Sequence, residues 1–208
     1  MPVRVKICGI TNYEDAEAAI AAGADALGFI LFEKSKRFIP MEEAIRIVEK
    51  LPPFVQTVAV TVNAVKEFTN LGWRKQLKNF NVAQLHGEES PQHVKAVGKY
   101  LPVIKVFPAD VAQTVVPKEW DVAAFMLDTP SPEHGGTGRV FDWSLAVDFS
   151  KRITRPLILS GGLNVDNVAK AIQTVHPYAV DVNSGVEASP GRKDHAKLRD
   201  FIRLCKSL

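Results

Sequence analysis

A chain of 208 residues, 46% of them apolar, is long enough to bury a sizeable core and reads as one domain, residues 1–208. Its 26 basic and 23 acidic residues nearly balance at +3, and the basic ones are scattered, which argues against nucleic acid as a partner. Apolar runs fall short of the roughly 18 residues of a membrane span, no signal-peptide core opens the chain, and the two cysteines form neither a disulfide framework nor a metal spacing. A reduced, cytoplasmic setting is expected.

The first strand is read at Val3–Ile7, where apolar and charged residues alternate, with half of it exposed. Thr11 with Glu14 has the spacing of a capping box ahead of an alanine-rich helix that stops at Gly23. Strand two, Ala26–Leu31, leads through the basic loop Phe32–Arg37 to a helix over Met41–Leu51. Pro40 introduces that helix, and Ala44, Ile45, Ile47 and Val48 share one of its faces. Strands at Gln56–Val62, Val82–Leu85 and Val103–Phe107 follow, with helices predicted at Val65–Leu77 and Pro91–Tyr100 and a weaker one at Asp110–Val115. The last strands, Ala123–Leu127, Pro156–Leu159 and Ala179–Val182, are separated by helical patterns at Ser144–Phe149 and Val165–Val175 and followed by one at His195–Leu204. Eight strand–helix units whose strands start 20 to 33 residues apart, without a linker, imply the α/β class and a closed parallel (β/α)8 TIM barrel. A doubly wound open sheet is the alternative fold.

Chemistry in such a barrel sits at the C-terminal strand ends. Strand one delivers Cys8-Gly9, strand two the loop with Lys34, Lys36 and Arg37, strand four His86-Gly87 and strand six Asp128-Thr129. A long Gly/Pro-rich loop, Thr129–Gly138, of the kind that covers active sites, follows Asp128. Strands seven and eight end in Leu159-Ser160-Gly161-Gly162-Leu163 and Asp181-Val182-Asn183-Ser184-Gly185. Small residues allow the backbone close to a ligand, and free N–H groups favour an anion, so this pair reads as a phosphate site. Each feature also has a plainer reading: a core cysteine, a solvated basic loop, a cap carboxylate, a satisfied histidine, a tight turn. Together they point to proton transfer on a phosphosugar. The five histidines are dispersed without a metal-binding spacing, and no metal is expected.

Lys6-Ile7-Cys8-Gly9-Ile10-Thr11, Gln84-Leu85-His86-Gly87-Glu88-Glu89, Leu127-Asp128-Thr129 with Gly135-Gly136-Thr137-Gly138, and Phe141-Asp142-Trp143 carry a wider resemblance. With the two glycine segments, the second running on through Val186-Glu187, they resemble phosphoribosylanthranilate isomerase over essentially the whole chain. The resemblance implies an enzyme of tryptophan biosynthesis that performs an Amadori rearrangement of N-(5-phosphoribosyl)anthranilate, with no cofactor and no metal. Its partner would be a small phosphosugar, not a nucleic acid or a membrane, and the chain would be a monomer or homodimer. Asp128 would be the general acid toward the furanose ring oxygen. Cys8 would be the general base toward the adjacent sugar carbon, which calls for a thiol of lowered pKa. Arg37 would take the anthranilate carboxylate, for which a planar fork is well shaped. His86 and Asp181 would line the substrate pocket, and Gly161, Gly162, Ser184 and Gly185 would hold the phosphate through backbone N–H groups. Asn183 stands where a small hydroxyl residue is expected. Three other readings compete. A histidine-pathway aminoaldose isomerase would offer carboxylates at both catalytic positions. An indole-forming lyase would need strand-end lysines, for which Lys105 is the only candidate, and the third reading is a non-catalytic phosphometabolite-binding barrel. Cys205 reads as structural.

Overall fold

Eight parallel strands form a ring: β1 (Arg4–Ile7), β2 (Ala26–Ile30), β3 (Gln56–Thr61), β4 (Val82–Leu85), β5 (Val103–Pro108), β6 (Ala124–Asp128), β7 (Leu157–Leu159) and β8 (Ala179–Val182). Each pairs with the next, and β8 returns to β1 in the register Lys6 opposite Asp181, so the sheet has no free edge. The computed structural model describes residues 2–64, 66–130 and 140–208. The Gly135–Gly138 motif and most of the loop predicted at Thr129–Gly138 lie outside them.

Helices α1 (Tyr13–Ala21), α2 (Met41–Val48), α3 (Leu71–Leu77) and α4 (Pro91–Val97) follow the first four strands. After β6, β7 and β8 come α5 (Ser144–Ser150), α6 (Val168–Val175) and α7 (His195–Lys206). The helix expected at Asp110–Val115 is instead a single 3-10 turn, Ala109–Val111, with a second at Pro117–Glu119. Pro117 disfavours helical backbone in the residue before it, and Val116 is extended. Asn12, not Thr11, caps α1: its Oδ1 accepts from the Asp15 amide at 2.8 Å and its Nδ2 donates to Asp15 Oδ2 at 2.8 Å. Thr11 is drawn away, donating to the Gly191 carbonyl. The stretch predicted as one helix over Val65–Leu77 starts as a 3-10 turn, Glu67–Thr69, and α3 begins only where Asn70 caps it. Asn167 delays α6 past Val165 by accepting from the Asn164 amide.

Successive side chains of a strand face opposite ways, and both faces here are largely buried. Val5, Ile7, Leu27, Phe29, Leu85, Phe107, Phe125, Leu159 and Val180 face outward into the layer beneath the helices. Val58, Val60, Ile104, Val106, Met126 and Ile158 pack in separate clusters on the inner face. The alternation in β1 predicts a solvent face for its charged residues; Arg4 is exposed at the strand start, but ring closure turns Lys6 inward, where it is only 3% exposed. A cavity of about 460 Å³ opens at the N-terminal strand ends, where Arg4, Asp25, Phe54 and Tyr178 contribute to its lining. Catalytic-type side chains gather at the other end.

Candidate active site

Cys8 follows β1 directly, and its amide donates to the Val182 carbonyl at 2.8 Å, which ties it to the end of β8. Period-two alternation sends its side chain the same way as Lys6, into the barrel. Lys6 Nζ lies 2.7 Å from Asp181 Oδ1, and Ser160 Oγ donates to Asp181 Oδ2 at 3.2 Å. Gly28 of β2 leaves room for this group: a methyl there would stand 2.9 Å from both Cys8 Sγ and Lys6 Nζ. Thiol, ammonium and carboxylate therefore share one buried spot where β8, β1 and β2 adjoin. Burial pushes the Cys8 thiol up; Lys6 and Lys193 pull it down, Asp181 adds to the rise, and the net result is upward. The lowered thiol expected of a base is thus not what the free site provides. Burial also works against the Lys6 ammonium, yet Asp181 and Cys8 hold its pKa above the usual lysine value.

Asp128 ends β6, with Oδ1 accepting from the Thr129 amide at 2.7 Å and Oδ2 lying 3.3 Å from His86 Nε2. Gln84 Nε2 stands 3.3 Å from the other ring nitrogen of His86. The turn carrying His86 is braced from below. Lys105 Nζ, 2.9 Å from Glu89, donates to the carbonyls of Gly87 at 2.6 Å and Val106 at 3.1 Å. Glu89 in turn accepts from the amides of Gly87 and Asn63. Lys105 is buried and committed to this brace, which removes the strand-end lysine on which the lyase reading depended.

The basic loop after β2 is not simply solvated. Arg37 reaches Glu187 through Nε at 2.9 Å and Nη2 at 2.8 Å, leaving Nη1 without a partner among the described residues. Glu187 opens a small antiparallel hairpin, β9 (Glu187–Ser189) and β10 (Arg192–Lys193), added after the barrel. Lys193 Nζ sits between Glu187 Oε1 at 3.2 Å and Asn183 Oδ1 at 3.0 Å, which gives the unexpected Asn183 side chain a use. Burial would raise the Glu187 carboxyl, but Arg37, Lys193 and the Gly191 amide hold it below the usual range. Burial lowers the Lys193 ammonium despite Glu187.

The two glycine segments form one wall. Gly161 and Gly162 both have positive φ, at 92° and 64°, and no described residue accepts from either amide. Ser184–Val186 is a 3-10 turn whose first amides are free of intrahelical bonds. Gly185 presses on the Leu163 carbonyl so closely that a methyl would overlap it, which locks the two loops together. Backbone N–H groups from two adjoining loops are suited to an anion. Gly161 also packs against Asp128 and Thr129, joining this wall to the carboxylate.

Cys8, Arg37, His86, Asp128, Gly161, Gly162, Asp181, Ser184 and Gly185 thus lie at or near the C-terminal strand ends or in the loops that follow them. His86 is brought beside Asp128, Asp181 beside Cys8, and the glycines together. Lys6, Glu187, Lys193 and the Lys105–Glu89 brace were missed as parts of the site. Among the described residues no group of three or more His, Cys, Asp or Glu side chains could hold a metal ion, and no helix is long and apolar enough to cross a membrane.

The family model described as N-(5'phosphoribosyl)anthranilate (PRA) isomerase matches residues 5–204. The chain belongs to that family. A relative from Geobacter sulfurreducens, named N-(5'-phosphoribosyl)anthranilate isomerase, is 48% identical over 207 residues, 98% of each chain. The crystal structure of phosphoribosyl anthranilate isomerase from Thermotoga maritima superposes with a TM-score of 0.88 at 46% identity, covering 99% of this chain and 100% of that one. A second structure describes that organism's isomerase as dimeric. A further family structure, at 43% identity and a TM-score of 0.85 over 99% and 100% of the two chains, holds reduced 1-(o-carboxyphenylamino)-1-deoxyribulose 5-phosphate.

Proposed function

We propose that this single barrel domain is a phosphoribosylanthranilate isomerase of tryptophan biosynthesis. It would convert N-(5-phosphoribosyl)anthranilate into 1-(2-carboxyphenylamino)-1-deoxyribulose 5-phosphate. One observation carries the reading: a thiol just past β1 and a carboxyl ending β6 both stand at the barrel end where two loops offer amides without an acceptor among the described residues. The reduced product analogue bound by a family member fits the same division into phosphate, sugar and carboxylate.

The phosphate is held by the amides of Gly161, Gly162, Ser184 and Gly185, and the ring carboxylate by the Nη1 edge of Arg37 that Glu187 leaves open. Asp128 gives a proton to the furanose ring oxygen as the C1–O bond breaks, leaving an iminium at C1. That electron-poor carbon makes the hydrogen on C2 acidic. Cys8, as thiolate, takes it as a proton and becomes a thiol, giving an enolamine. The enolamine gains a proton at C1 and loses one from the C2 hydroxyl, which yields the ketone. His86 steadies Asp128, and Asp181 faces the sugar from beside Lys6. The partner is a small phosphosugar, and the chain is a monomer or a homodimer like the dimeric Thermotoga relative.

Cys8→Ala and Asp128→Asn are each expected to lower kcat/KM at least about 100-fold, followed as loss of anthranilate-type fluorescence, with unchanged circular dichroism. Near-normal turnover in both variants refutes these roles.

A further inference from the structure

Lys6 is a buried charge that the proton-transfer scheme leaves without a part. An ion pair inside a barrel is no gain in stability over well-packed apolar side chains, so its presence asks for another reason. Its position supplies one. The ammonium stands beside the Cys8 sulfur in the space left by Gly28, and Asp181 holds it there at 2.7 Å.

We propose that Lys6 is a positioning residue for Cys8, the base assigned above: its ammonium is the counter-charge on which the thiolate forms, and Asp181 sets how much of that charge the thiol receives. The inference rests on the reading of Cys8 as the base. Among the described residues the other charged group facing the thiol is Lys193 of β10, whose ammonium is tied to Glu187 and Asn183, with Arg37 behind Glu187. From β2 and β3 the thiol meets Gly28 and the apolar Val58 and Val60. Lys6 is therefore the cation on the thiol's own strand, and Asp181 the carboxylate that competes for it. The two should act on Cys8 with opposite sign.

The test is the rate of Cys8 alkylation by iodoacetamide at fixed neutral pH, which follows the thiolate fraction, with Cys8→Ala as background. Lys6→Met is expected to slow it about tenfold, the equivalent of one pH unit in the thiol, and Lys6→Arg to restore most of the rate. Asp181→Asn is expected to speed it, because the ammonium is then shared with nothing else. The acid limb of the kcat/KM profile should move up in pH for Lys6→Met and down for Asp181→Asn. Mere loosening of the barrel would speed alkylation in both. An unchanged rate in Lys6→Met, or a change of the same sign in both variants, overturns the proposal. Should Lys6→Met not fold, the double variant Lys6→Met/Asp181→Asn must react more slowly than Asp181→Asn alone; equal rates overturn it too. Full turnover by Cys8→Ala would instead remove the base, while alkylation would still decide whether Lys6 governs the thiol.

Discussion

Gly185→Ala tests whether the two glycine loops act as one anion site. The added methyl would overlap the Leu163 carbonyl oxygen and lie 3.0 Å from Asn164 Cβ, at the limit that Cβ atoms keep from their neighbours. A backbone carbonyl cannot rotate away like a side chain. The β7 loop is also pinned, with Leu163 buried and Asn167 Nδ2 on the Gly162 carbonyl at 3.0 Å. One loop must therefore shift by about 1 Å, the scale of misplacement that disables a positioned group. Overpacking of this kind costs about 1–3 kcal/mol, or a Tm lower by roughly 2–12 °C in a chain of this length. Losing one charge-assisted amide contact to phosphate, about 1.5–3 kcal/mol, should raise KM roughly 10- to 100-fold. Inorganic phosphate, as a competitive inhibitor, should weaken by the same factor, and kcat should change less because Cys8 and Asp128 hang on other strands. The assay is steady-state fluorescence with phosphate titrated in. A folded variant with unchanged KM and unchanged phosphate inhibition would refute the assignment of these loops to the phosphate.

Glu187→Gln should loosen Arg37 and raise the KM for the carboxylated substrate about tenfold, since a charged partner is worth about 1.5–3 kcal/mol. Inhibition by inorganic phosphate should stay as it was; a parallel loss there would mean that the hairpin, not Arg37, had moved. Cys205, buried in α7, has its thiol pushed up to about 12 by desolvation, chiefly, with Lys206 opposing. The folded chain thus keeps a proton that the unfolded chain loses near pH 9. The stability tied to it is complete below that pH and drains as pH rises toward 12, at about 1.4 kcal/mol per unit. Urea titrations at pH 9 and above should show a shallower decline for Cys205→Ala than for the parent chain, and equal slopes would contradict the assignment.

Most barrel strands, three to six residues long, were visible in the sequence because both of their faces are buried, so apolar runs stand out between polar turns; β1, with its charged residues, shows as an alternation instead. Strand ends could then be read off, which is why Cys8, His86, Asp128 and the two glycine segments were found without knowing any distance. What stayed hidden was direction and long-range pairing. The alternation Val3-Arg4-Val5-Lys6 looks the same whether its charged face meets water or a barrel lumen, and only closure decides. Arg37 and Glu187 are 150 residues apart and Lys6 and Asp181 are 175 apart, so no local spacing announces either pair. A usable signal for Lys6 did exist: it lies two residues before Cys8 and therefore shares its face. The Asn12 cap was missed because Thr11 offered the same chemistry one residue earlier, and Gly191 competes for that hydroxyl.

The ion pair that joins the first strand to the last also bears on how the chain is made. β1 leaves the ribosome long before β8, and until β8 docks the inward-pointing ammonium of Lys6 has no carboxylate opposite it. A charge without a partner keeps its water, so burial of Lys6 is expected only once β8 has docked. Docking of β8 supplies both the Asp181 carboxylate and the Val182 carbonyl that takes the Cys8 amide, so completion of the sheet and enclosure of the thiol are expected to go together. A chain cut before β8 is therefore expected to lack both the eighth strand and the partner of Lys6, and to leave the thiol open to solvent.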